Sequence, residues 1–434
     1  MTRKSRYFIL AAGFVFFLIA APLIVLYVTG IGFNFNSKSF VQTGILAVRS
    51  NPQDAAIFLD GQQKRQSQGD LTFLSPGSYT VGLKKAGYSD WTKRLAVQAG
   101  QVTWASPSFG NIFLFLKTPP VQNLAQGVLD FYGRDKNFIY LTKDSLTTSI
   151  LNNPDAEQAY PLPKSVNKIL AEDSAGKIFA LTNSQAATSP PVLLIFNQNS
   201  GKIYDISNLF GTLPLLQFGD DGGLYALSNN VLYSVNFEDK TKTALFSEVK
   251  AFYFQGGALY FVQQKGQNYS LFVSQAPFSL SQDLADSLPG FTSGELFVTF
   301  EKEIFLLADG KLFLVSSGMQ QLSDNISGSN FSSNDSLLSV IHSGELDYYD
   351  PLAGSLNFVT RSSETLTNPK ILTSVGNAFF FQGQKLMAIE LDARDNQNQY
   401  QLYQGTDVKK FFIDNAGQNV LLLDNGELKV LKIR

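Results

Sequence analysis

A loose internal repeat extends from about residue 119 to the C-terminus, and it constrains the fold of this 434-residue chain more than any other feature. Each unit has a Gly or Asn turn, a short aromatic-rich strand, a second turn and another strand. The starts of six such units are 47, 34, 37, 41 and 41 residues apart. They lie at Gly176, Gly223, Gly257, Gly294, Asp335 and Gly376. Since a strand takes five or six residues and the connections are short, each unit has room for four strands.

Units of this size are typical of a β-propeller, and residues 119–434 resemble propellers in general. An earlier unit at 130–151 and a closing segment at 419–434 bring the count to seven or eight blades, of which we favour seven. The last strands would complete the first blade and so remove a free sheet edge. No WD dipeptide or kelch signature marks the repeats. The alternative is a string of β-sandwich domains, and a turn or two of helix is expected only near 279–289.

The composition also favours strands. Hydrophobic residues make up 44% of the chain and charged residues 16%, with 37 Phe and 17 Tyr. Such side chains suit pleated, half-buried surfaces, so the fold class is predicted to be mainly β. The chain has no cysteine, which excludes disulfides, thiolate metal sites and a cysteine nucleophile.

Residues 8–28 form an uncharged apolar run that is long enough, as a helix, to cross a bilayer. Arg3, Lys4 and Arg6 precede it, and the first acidic residue is Asp54. The positive-inside rule then predicts a cytoplasmic N-terminus at 1–7, a single-pass signal-anchor helix at 8–28 in the cell membrane, and an extracytoplasmic remainder. A cleaved signal peptide and a buried core helix are the alternatives.

The charge balance argues against nucleic acid as a partner. The whole chain has 34 basic and 36 acidic residues. Because three of the basic residues precede the apolar run, the part beyond Gly30 has 31 basic against 36 acidic residues, a net charge of -5. Such a surface lacks the clustered Lys and Arg that phosphate backbones require.

A small β module is predicted at 44–117, after a linker at 29–43. Short strands alternate there with turn residues, and the pair Asp60-Gly61 predicts a tight hairpin. Tyr79, Val81 and Leu83 alternate with polar or small residues, as a strand with one buried face requires. Thr118-Pro119-Pro120 follows the module and is interpreted as a short stiff hinge.

This module resembles the PEGA domain, a small β-sandwich of exported and surface proteins of bacteria and archaea. The first strand, ILAVRS, and the Leu74 to Tyr79 segment match its pattern, but the name-giving tetrapeptide reads Pro52-Gln53-Asp54-Ala55 and the usual Thr-Pro is missing near Gly69. The resemblance implies an envelope adaptor role and no catalytic residues. The turn and pattern residues are Pro52, Gly61, Pro76, Gly77, Gly87 and Tyr88. We expect Gly77 and Gly87 to have positive φ.

Few residues point to catalysis or to a cofactor. His342 is the only histidine and no G-x-S-x-G motif supplies a nucleophile, so a catalytic triad is not expected. Metal sites built on His or Cys are excluded by count, and no glycine pattern for nucleotide binding occurs. Carboxylates remain as candidates for acid/base chemistry or calcium, although turns explain them equally well. They are Asp220 with Asp221, Asp392 with Asp395, and Asp414 with Asp424.

These features together predict a non-catalytic, membrane-anchored scaffold or binding protein of the bacterial cell envelope. The propeller would present the binding face to an envelope protein or a wall polymer, since loops from several blades meet at the mouth of its channel. One alternative is a glycan-acting hydrolase or lyase that uses carboxylates. Another is a structural spacer of a surface layer. Clustered carboxylates in the channel would favour the enzyme, whereas an aromatic channel mouth would favour the binding face.

Overall fold

The N-terminal helix α1 (Arg3–Val28) contains Tyr7–Val28, a segment long and apolar enough to cross a membrane. No part of its most apolar window is buried against the rest of the protein. Arg3, Lys4 and Arg6 lie in its first two turns, and their side chains are outside the described part of the chain. The structure is a computed structural model that describes residues 3–34, 39–106, 110–151, 153–183, 191–299, 301–315, 318–332 and 337–434.

A two-stranded hairpin follows the helix. Its strands are β1 (Ile31–Asn34) and β2 (Ser39–Gln42), which pair in antiparallel register. The backbone N–H and the hydroxyl of Thr43 both donate to the carbonyl of Gly30, at 2.8 and 2.6 Å, and close its base. The segment predicted as a linker, 29–43, therefore contains a hairpin. The sequence did not indicate these strands, because strands of only four residues leave little periodicity.

The module is a β-sandwich, as predicted. A sheet of order β6-β5-β8-β9 packs against two smaller sheets of order β10-β3-β7 and β11-β4. Their buried faces share one core that includes Leu46, Ile57, Val81, Leu83 and Trp91. The strands are β3 (Gly44–Val48), β4 (Ser50–Asn51), β5 (Ala56–Leu59), β6 (Gln62–Arg65), β7 (Gly69–Leu74), β8 (Gly77–Lys84), β9 (Trp91–Val97), β10 (Val102–Trp104) and β11 (Ile112–Phe113).

Of three glycines predicted to lie in turns of the module, two have positive φ and one does not. Gly61 follows Asp60 in the β5–β6 hairpin, and both have positive φ, 79° and 48°. Gly87 also has the expected positive φ of 82°. Gly77 does not, and that prediction was wrong: the residue begins β8 and pairs with Val97. The positive φ near this turn, 58°, belongs to Phe73, three residues before Pro76.

Eight four-stranded antiparallel sheets follow the module in the described part of the chain, so the propeller has eight blades and not the favoured seven. Strand β12 (Val121–Gln126) comes first in the chain. Blade 1 has β13 (Asp130–Arg134), β14 (Asn137–Leu141), β15 (Ser145–Ile150) and β16 (Asn153–Pro161). Blade 2 has β17 (Lys168–Glu172), β18 (Ile178–Thr182), β19 (Leu193–Asn197) and β20 (Lys202–Asp205), and a 3₁₀ turn (Ser207–Leu209) follows.

The next four blades repeat the same meander. Blade 3 has β21 (Leu215–Phe218), β22 (Leu224–Ser228), β23 (Val231–Asn236) and β24 (Thr241–Phe246). Blade 4 has β25 (Val249–Gln255), β26 (Ala258–Lys265), β27 (Asn268–Gln275) and β28 (Gln282–Leu288). Blade 5 has β29 (Gly294–Val298), β30 (Ile304–Ala308), β31 (Lys311–Leu314) and β32 (Gln320–Ser323). Blade 6 has β33 (Ile326–Ser332), β34 (Leu337–His342), β35 (Glu345–Asp350) and β36 (Ser355–Arg361).

The last two blades complete the ring, and the final one contains strands from both ends of the propeller. Blade 7 has β37 (Leu366–Leu372), β38 (Asn377–Gln382), β39 (Lys385–Glu390) and β40 (Gln399–Gln404). Blade 8 has β41 (Val408–Ile413), β42 (Asn419–Asp424) and β43 (Glu427–Lys432), and takes β12 as its outermost strand. The predicted pairing of the last strands with the first one is confirmed. The favoured count of seven was wrong because the closing segment was assigned to the first unit. In the structure that segment contributes strands to a blade of its own, which β12 completes.

Residues 282–288 form a strand, so the turn or two of helix expected there is absent.

The innermost strands run in the same direction because each blade is the same meander. The first strands of neighbouring blades contact one another, for example β13 with β17 and β25 with β29. The turns after the first and third strands therefore lie on one face of the propeller, and the turns after the second strands lie on the opposite face. We call the first the module face, since the module contacts the β39–β40 loop there, and the second the distal face.

The predicted hinge at 118–120 is fixed on both sides. The N–H of Leu116 donates to the carbonyl of Ile433 at 3.0 Å, and the N–H of Lys432 donates to Pro120 at 3.1 Å. Phe115 is buried in a core formed by blades 7 and 8. These contacts join residues far apart in the chain, which is why the local sequence indicated only a hinge.

The β39–β40 loop lies along β9, the edge strand of the module. Asn398 bonds to both the N–H and the carbonyl of Thr92, and the carboxylate of Asp395 accepts from the N–H of Arg94 at 2.7 Å. Arg394 donates to the carbonyls of Trp104 and Ala105 in the module. The loop therefore satisfies backbone groups that an exposed sheet edge would leave unpaired.

A buried ion cluster lies at the centre of this junction. Lys93 is 0% exposed, and its ammonium lies 3.0 Å from Glu390 and 3.4 Å from Asp392. The indole N–H of Trp91 donates to Glu390 at 3.1 Å. Burial alone would raise the pKa of Asp392, but hydrogen bonds from Arg394 and the charge of Lys93 outweigh it and lower that pKa below 3.8.

Candidate functional site

Three aromatic side chains from consecutive blades meet at the centre of the propeller. Tyr253, Phe297 and Phe331 belong to the innermost strands β25, β29 and β33, and each lies within two residues of the end of its strand. Their ring centroids are 5.4 to 6.4 Å apart. The contact between Tyr253 and Phe331 joins blades 4 and 6, which are not neighbours, so it lies inside the ring. These three rings, called the aromatic cluster, are half-buried against the cores between blades 4, 5 and 6, at the end of the channel near the module face.

A polar group lies at the same end of blades 1 and 2. Tyr132 donates a hydrogen bond to Glu172, which is the last residue of β17. The guanidinium of Arg134, the last residue of β13, is 3.6 Å from the same carboxylate oxygen. The other oxygen of Glu172, Oε2, is buried and has no hydrogen-bond partner among the described residues. An unpaired buried oxygen makes the ionised form of this carboxyl unfavourable.

The burial of these groups changes their protonation. Desolvation raises the pKa of Glu172 from 4.5 to about 7, although the Tyr132 hydrogen bond and the charge of Arg134 act in the opposite direction. Burial, followed by the nearby Glu172 charge, raises the pKa of Tyr132 well above 10. In the aromatic cluster, burial raises the pKa of Tyr253 to about 12. At neutral pH both tyrosines are therefore neutral hydrogen-bond donors, whereas Glu172 is near its midpoint.

Direct bonds between blades hold the innermost strands in place. Asp130 accepts from the N–H of Ile169 in blade 2 at 2.9 Å and from the ammonium of Lys410 in blade 8 at 2.9 Å. The amide of Gln217 in blade 3 bonds to both the N–H and the carbonyl of Phe254 in blade 4. A site built on these strands is therefore on rigid elements, which is what precise placement of side chains needs.

The carboxylate pairs singled out in the sequence do not form acid/base pairs. Asp220 accepts from the N–H groups of Gly256 and Gly257 in the next blade, and Asp221 accepts from Tyr225. Asp414 directly follows the first strand of blade 8 and Asp424 is the last residue of the second strand, so the two lie on opposite faces. Asp392 and Asp395 belong to the module junction.

His342 is the last residue of β34. Its ring nitrogen Nε2 is 2.7 Å from Asp347 Oδ2, and Glu345 lies on the same hairpin. Among the pattern residues of the module, Tyr88 forms a bridge with Leu116, and the bond between Asn51 and Pro52 is cis. None of the module's pattern residues lies at the channel.

A concave site of another kind lies at the outer edge between blades 8 and 1. Its volume is about 150 Å³, and Asn123, Phe138, Tyr140 and Glu157 are among the residues that line it. Pockets for drug-sized ligands have roughly 300 to 1,000 Å³. The channel end, where several blades converge, is therefore the better candidate site.

The sequence indicated the class of side chain in the channel but not which residues meet there. The aromatic strands were visible, whereas the registers that bring Tyr253, Phe297 and Phe331 to one level depend on bulges and turn lengths in three blades. Glu172 was missed altogether. One signal that could have found it is its position at a strand end directly before the Asp173 turn, where an acidic residue follows an apolar strand.

The fold and the channel define the chain as a small β-sandwich joined to an eight-bladed propeller. Residues 43–111 match the family model described as PEGA domain, which confirms the resemblance found in the module. The module therefore indicates an envelope-associated protein. No curated protein matches the chain in sequence.

Several solved structures are similar in fold. A crystal structure of the eukaryotic initiation factor has a TM-score of 0.50 and 12% identity, over 74% of this chain and 88% of that chain. A dipeptidyl peptidase 4 of Porphyromonas gingivalis has a TM-score of 0.48 and 11% identity, over 70% of this chain and 56% of that one. An oligogalacturonate lyase in complex with manganese has a TM-score of 0.43 and 9% identity, over 74% and 99%. At such identities the likeness concerns the fold alone and leaves activity open.

Proposed function

We propose that the protein is a membrane-anchored, extracytoplasmic binding protein of the bacterial cell envelope, and that its propeller binds an envelope protein or a wall polymer without catalysis. The binding site would be the channel mouth on the module face. The observation that carries this proposal is the aromatic cluster, in which three rings from three blades converge. Aromatic side chains at the centre of a rigid surface are the usual anchors of protein interfaces, and their faces also suit sugar rings.

The location follows from the N-terminal helix and the module. Tyr7–Val28 can span a bilayer by length and composition, and the PEGA domain supports an envelope setting. The three basic residues before the apolar segment of the helix support a cytoplasmic N-terminus under the positive-inside rule. A cleaved signal peptide would leave the same ectodomain without its anchor.

Crosslinking on intact cells tests location and binding together. A membrane-impermeant, amine-reactive crosslinker should label the wild-type protein and capture a partner. Phe297→Ala should reduce the captured partner by about tenfold or more, because loss of a central aromatic anchor costs at least about 2 kcal/mol of binding. Phe358→Ala is the control, since Phe358 is 55% exposed on the outermost strand of blade 6.

Three results would contradict the proposal. An unlabelled protein on intact cells would place the propeller inside the cytoplasm. A labelled protein without any captured partner would favour a structural spacer of a surface layer. Equal capture by wild type, Phe297→Ala and Phe358→Ala, with unchanged melting temperatures, would remove the binding site from the aromatic cluster.

A second candidate function, an envelope glycan hydrolase or lyase, is favoured by Glu172. A carboxyl group with a pKa of about 7 can accept and donate a proton at neutral pH, as general acid/base catalysis requires. Perturbed pKa values also occur at purely structural sites. The Tyr132 and Arg134 contacts give Glu172 a structural role between blades 1 and 2, and so we rank this function second.

Glu172→Gln is expected to stabilise the folded protein at about pH 8 by up to about 3 kcal/mol. The folded-state pKa of about 7 lies above the ordinary value of 4.5, so ionisation of Glu172 destabilises the folded state progressively as pH rises from 4.5 to 7. Glutamine removes the charge but still accepts from Tyr132. Urea unfolding at about pH 4.5 and pH 8 would show the difference only at the higher pH.

Glu238→Gln is the matched control for this measurement. Glu238 is exposed and also has a tyrosine partner, Tyr204, at 3.5 Å. Its substitution should leave the stability unchanged at both pH values. If Glu172→Gln and the parent protein had equal stability at about pH 8, the carboxyl of Glu172 would not be a buried group with a raised pKa, and the second candidate function would lose its support.

A further inference from the structure

A histidine and two carboxylates share one face of a hairpin in blade 6. His342 pairs with Glu345, and Val340 pairs with Asp347, across strands β34 and β35. Because side chains alternate along a strand, His342, Glu345 and Asp347 lie on the same face. Ser343 and Gly344 connect the strands with φ of 49° and 79°, the two positive values of a tight type I′ turn. The hairpin therefore fixes all three side chains on a short, rigid turn of the distal face.

The ligand atoms of these residues are close enough to share one ion. Nε2 of His342 is 2.7 Å from Asp347 Oδ2 and 4.0 Å from Glu345 Oε2, and one such atom from each residue lies within 4.8 Å of the other two. A tetrahedral ion with ligands at about 2.1 Å needs them about 3.4 Å apart, so small side-chain shifts suffice. Arg361 pairs with the other oxygen of Glu345, Oε1, and leaves Oε2 free to bind.

The second carboxylate oxygen of Asp347 gives independent support. Asp347 is only 7% exposed, and its Oδ1 is buried without a hydrogen-bond partner among the described residues. A buried carboxylate oxygen that accepts no hydrogen bond is costly, and an ion bound nearby would offset that cost.

Blade 8 shows how negative charge at the equivalent positions is compensated in another blade. There Asp424 pairs with Glu427, and Leu422 pairs with Lys429, so that Lys429 stands where blade 6 has Asp347. Its ammonium is 3.1 Å from each of the two carboxylates. The chain thus supplies its own cation in blade 8. In blade 6 the corresponding residue is a third potential ligand. Among the described residues Arg361 pairs with Glu345, whereas no lysine or arginine pairs with Asp347.

We infer that His342, Glu345 and Asp347 form a binding site for a divalent transition-metal cation of the Zn²⁺ type. One imidazole nitrogen and two carboxylate oxygens are ligands that such ions accept, and the ion would supply a positive charge next to the buried carboxylate of Asp347. Three protein ligands leave a fourth position open on the distal face, for water or for a carboxylate of a ligand. The count of a single histidine had argued against such a site, because it considered only histidine and cysteine as ligands.

The test is zinc binding by the purified full-length protein in detergent after treatment with a chelator. Titration calorimetry with ZnCl₂ should give one site for the parent. His342→Gln and Asp347→Asn should weaken the affinity at least tenfold, and they should lose the rise in melting temperature that zinc gives the parent. Glu427→Gln, at the position in blade 8 that corresponds to Glu345, should bind as the parent does.

Two outcomes would overturn the inference. One is a parent protein that binds no zinc. The other is a set of variants that all bind with the affinity of the parent, which would place the zinc elsewhere. Asp347→Asn changes a buried group and could unfold, so His342→Gln is the decisive variant: its partly exposed ring lies at a turn, and without zinc its melting temperature should equal that of the parent.

Discussion

Replacing Lys93 by alanine is expected to lower the free energy of unfolding by about 3 to 5 kcal/mol. Lys93 is fully buried between the module and blade 7, where its ammonium contacts Glu390 and Asp392 and donates to the carbonyl of Asp392 at 2.5 Å. Alanine would leave both carboxylates buried without their shared cation. We expect the module to separate from the propeller, which calorimetry would show as two transitions in place of one.

Lys64→Ala is the control for this experiment. Lys64 lies on β6 at the opposite edge of the same sheet and is exposed, and among the described residues its ammonium bonds to Gln62 alone. Its loss should change the stability by less than about 0.5 kcal/mol. If Lys93→Ala changed the stability as little as the control does, the module would be attached to the propeller by the chain alone.

Removing residues 419–434 should abolish the cooperative unfolding of the whole propeller. The deletion takes away β42 and β43, leaves β12 and β41 without a partner, and removes the fully buried side chains of Leu422 and Leu431. The deletion also removes the buried side chains of Leu421, Leu423, Leu428 and Ile433. At about 2 to 5 kcal/mol for each of these six side chains, the loss is about 12 to 30 kcal/mol, which matches or exceeds the roughly 5 to 15 kcal/mol by which domains are usually stable. Circular dichroism melting and limited proteolysis would measure it.

A second deletion provides the comparison. Removal of residues 1–28 takes away the exposed helix, which adds no strand to blade 8, and should leave the melting temperature of the propeller unchanged. A protein without 419–434 that melts as the parent does would show that the blades fold independently of ring closure, as separate domains would.

The parts of the fold that could be predicted from the sequence depend on local signals. The sandwich core around Ile57, Val81 and Leu83 could be predicted because apolar and polar residues alternate within single strands. The hairpin at Asp60-Gly61 could be predicted because this residue pair favours a known turn type. The residues that mark the starts of the repeat units are local signals too. Gly176, Gly223, Gly257 and Gly376 all lie in turns between the first and second strands of their blades, while Gly294 begins the first strand itself.

The parts that could not be predicted depend on residues distant in the chain. In β9 buried and exposed residues alternate, and Lys93 takes a buried position that the pattern would assign to an apolar side chain. Its burial is explained only by the ion pairs with Glu390 and Asp392. The eighth blade requires β12 to be assigned to the last sheet. The partners of Glu172 and the aromatic cluster likewise come from different blades, whose registers no local pattern fixes.

The pairing of β12 with β43 has a consequence for the order of folding. Val121 pairs with Leu431, 310 positions further along the chain, and Phe115 enters a core built by the last two blades. Contacts between such distant residues slow folding, because the long intervening segment must be ordered first. In the proposed topology, with the N-terminus held in the cytoplasm, the segment after the helix crosses first. The module would then emerge early and lack its docking surface until the final residues had crossed. Throughout that time the unpaired blade edges would be open to aggregation, so the chain would depend on a chaperone on the outer side of the membrane, or on rapid translocation, until its last strand arrived.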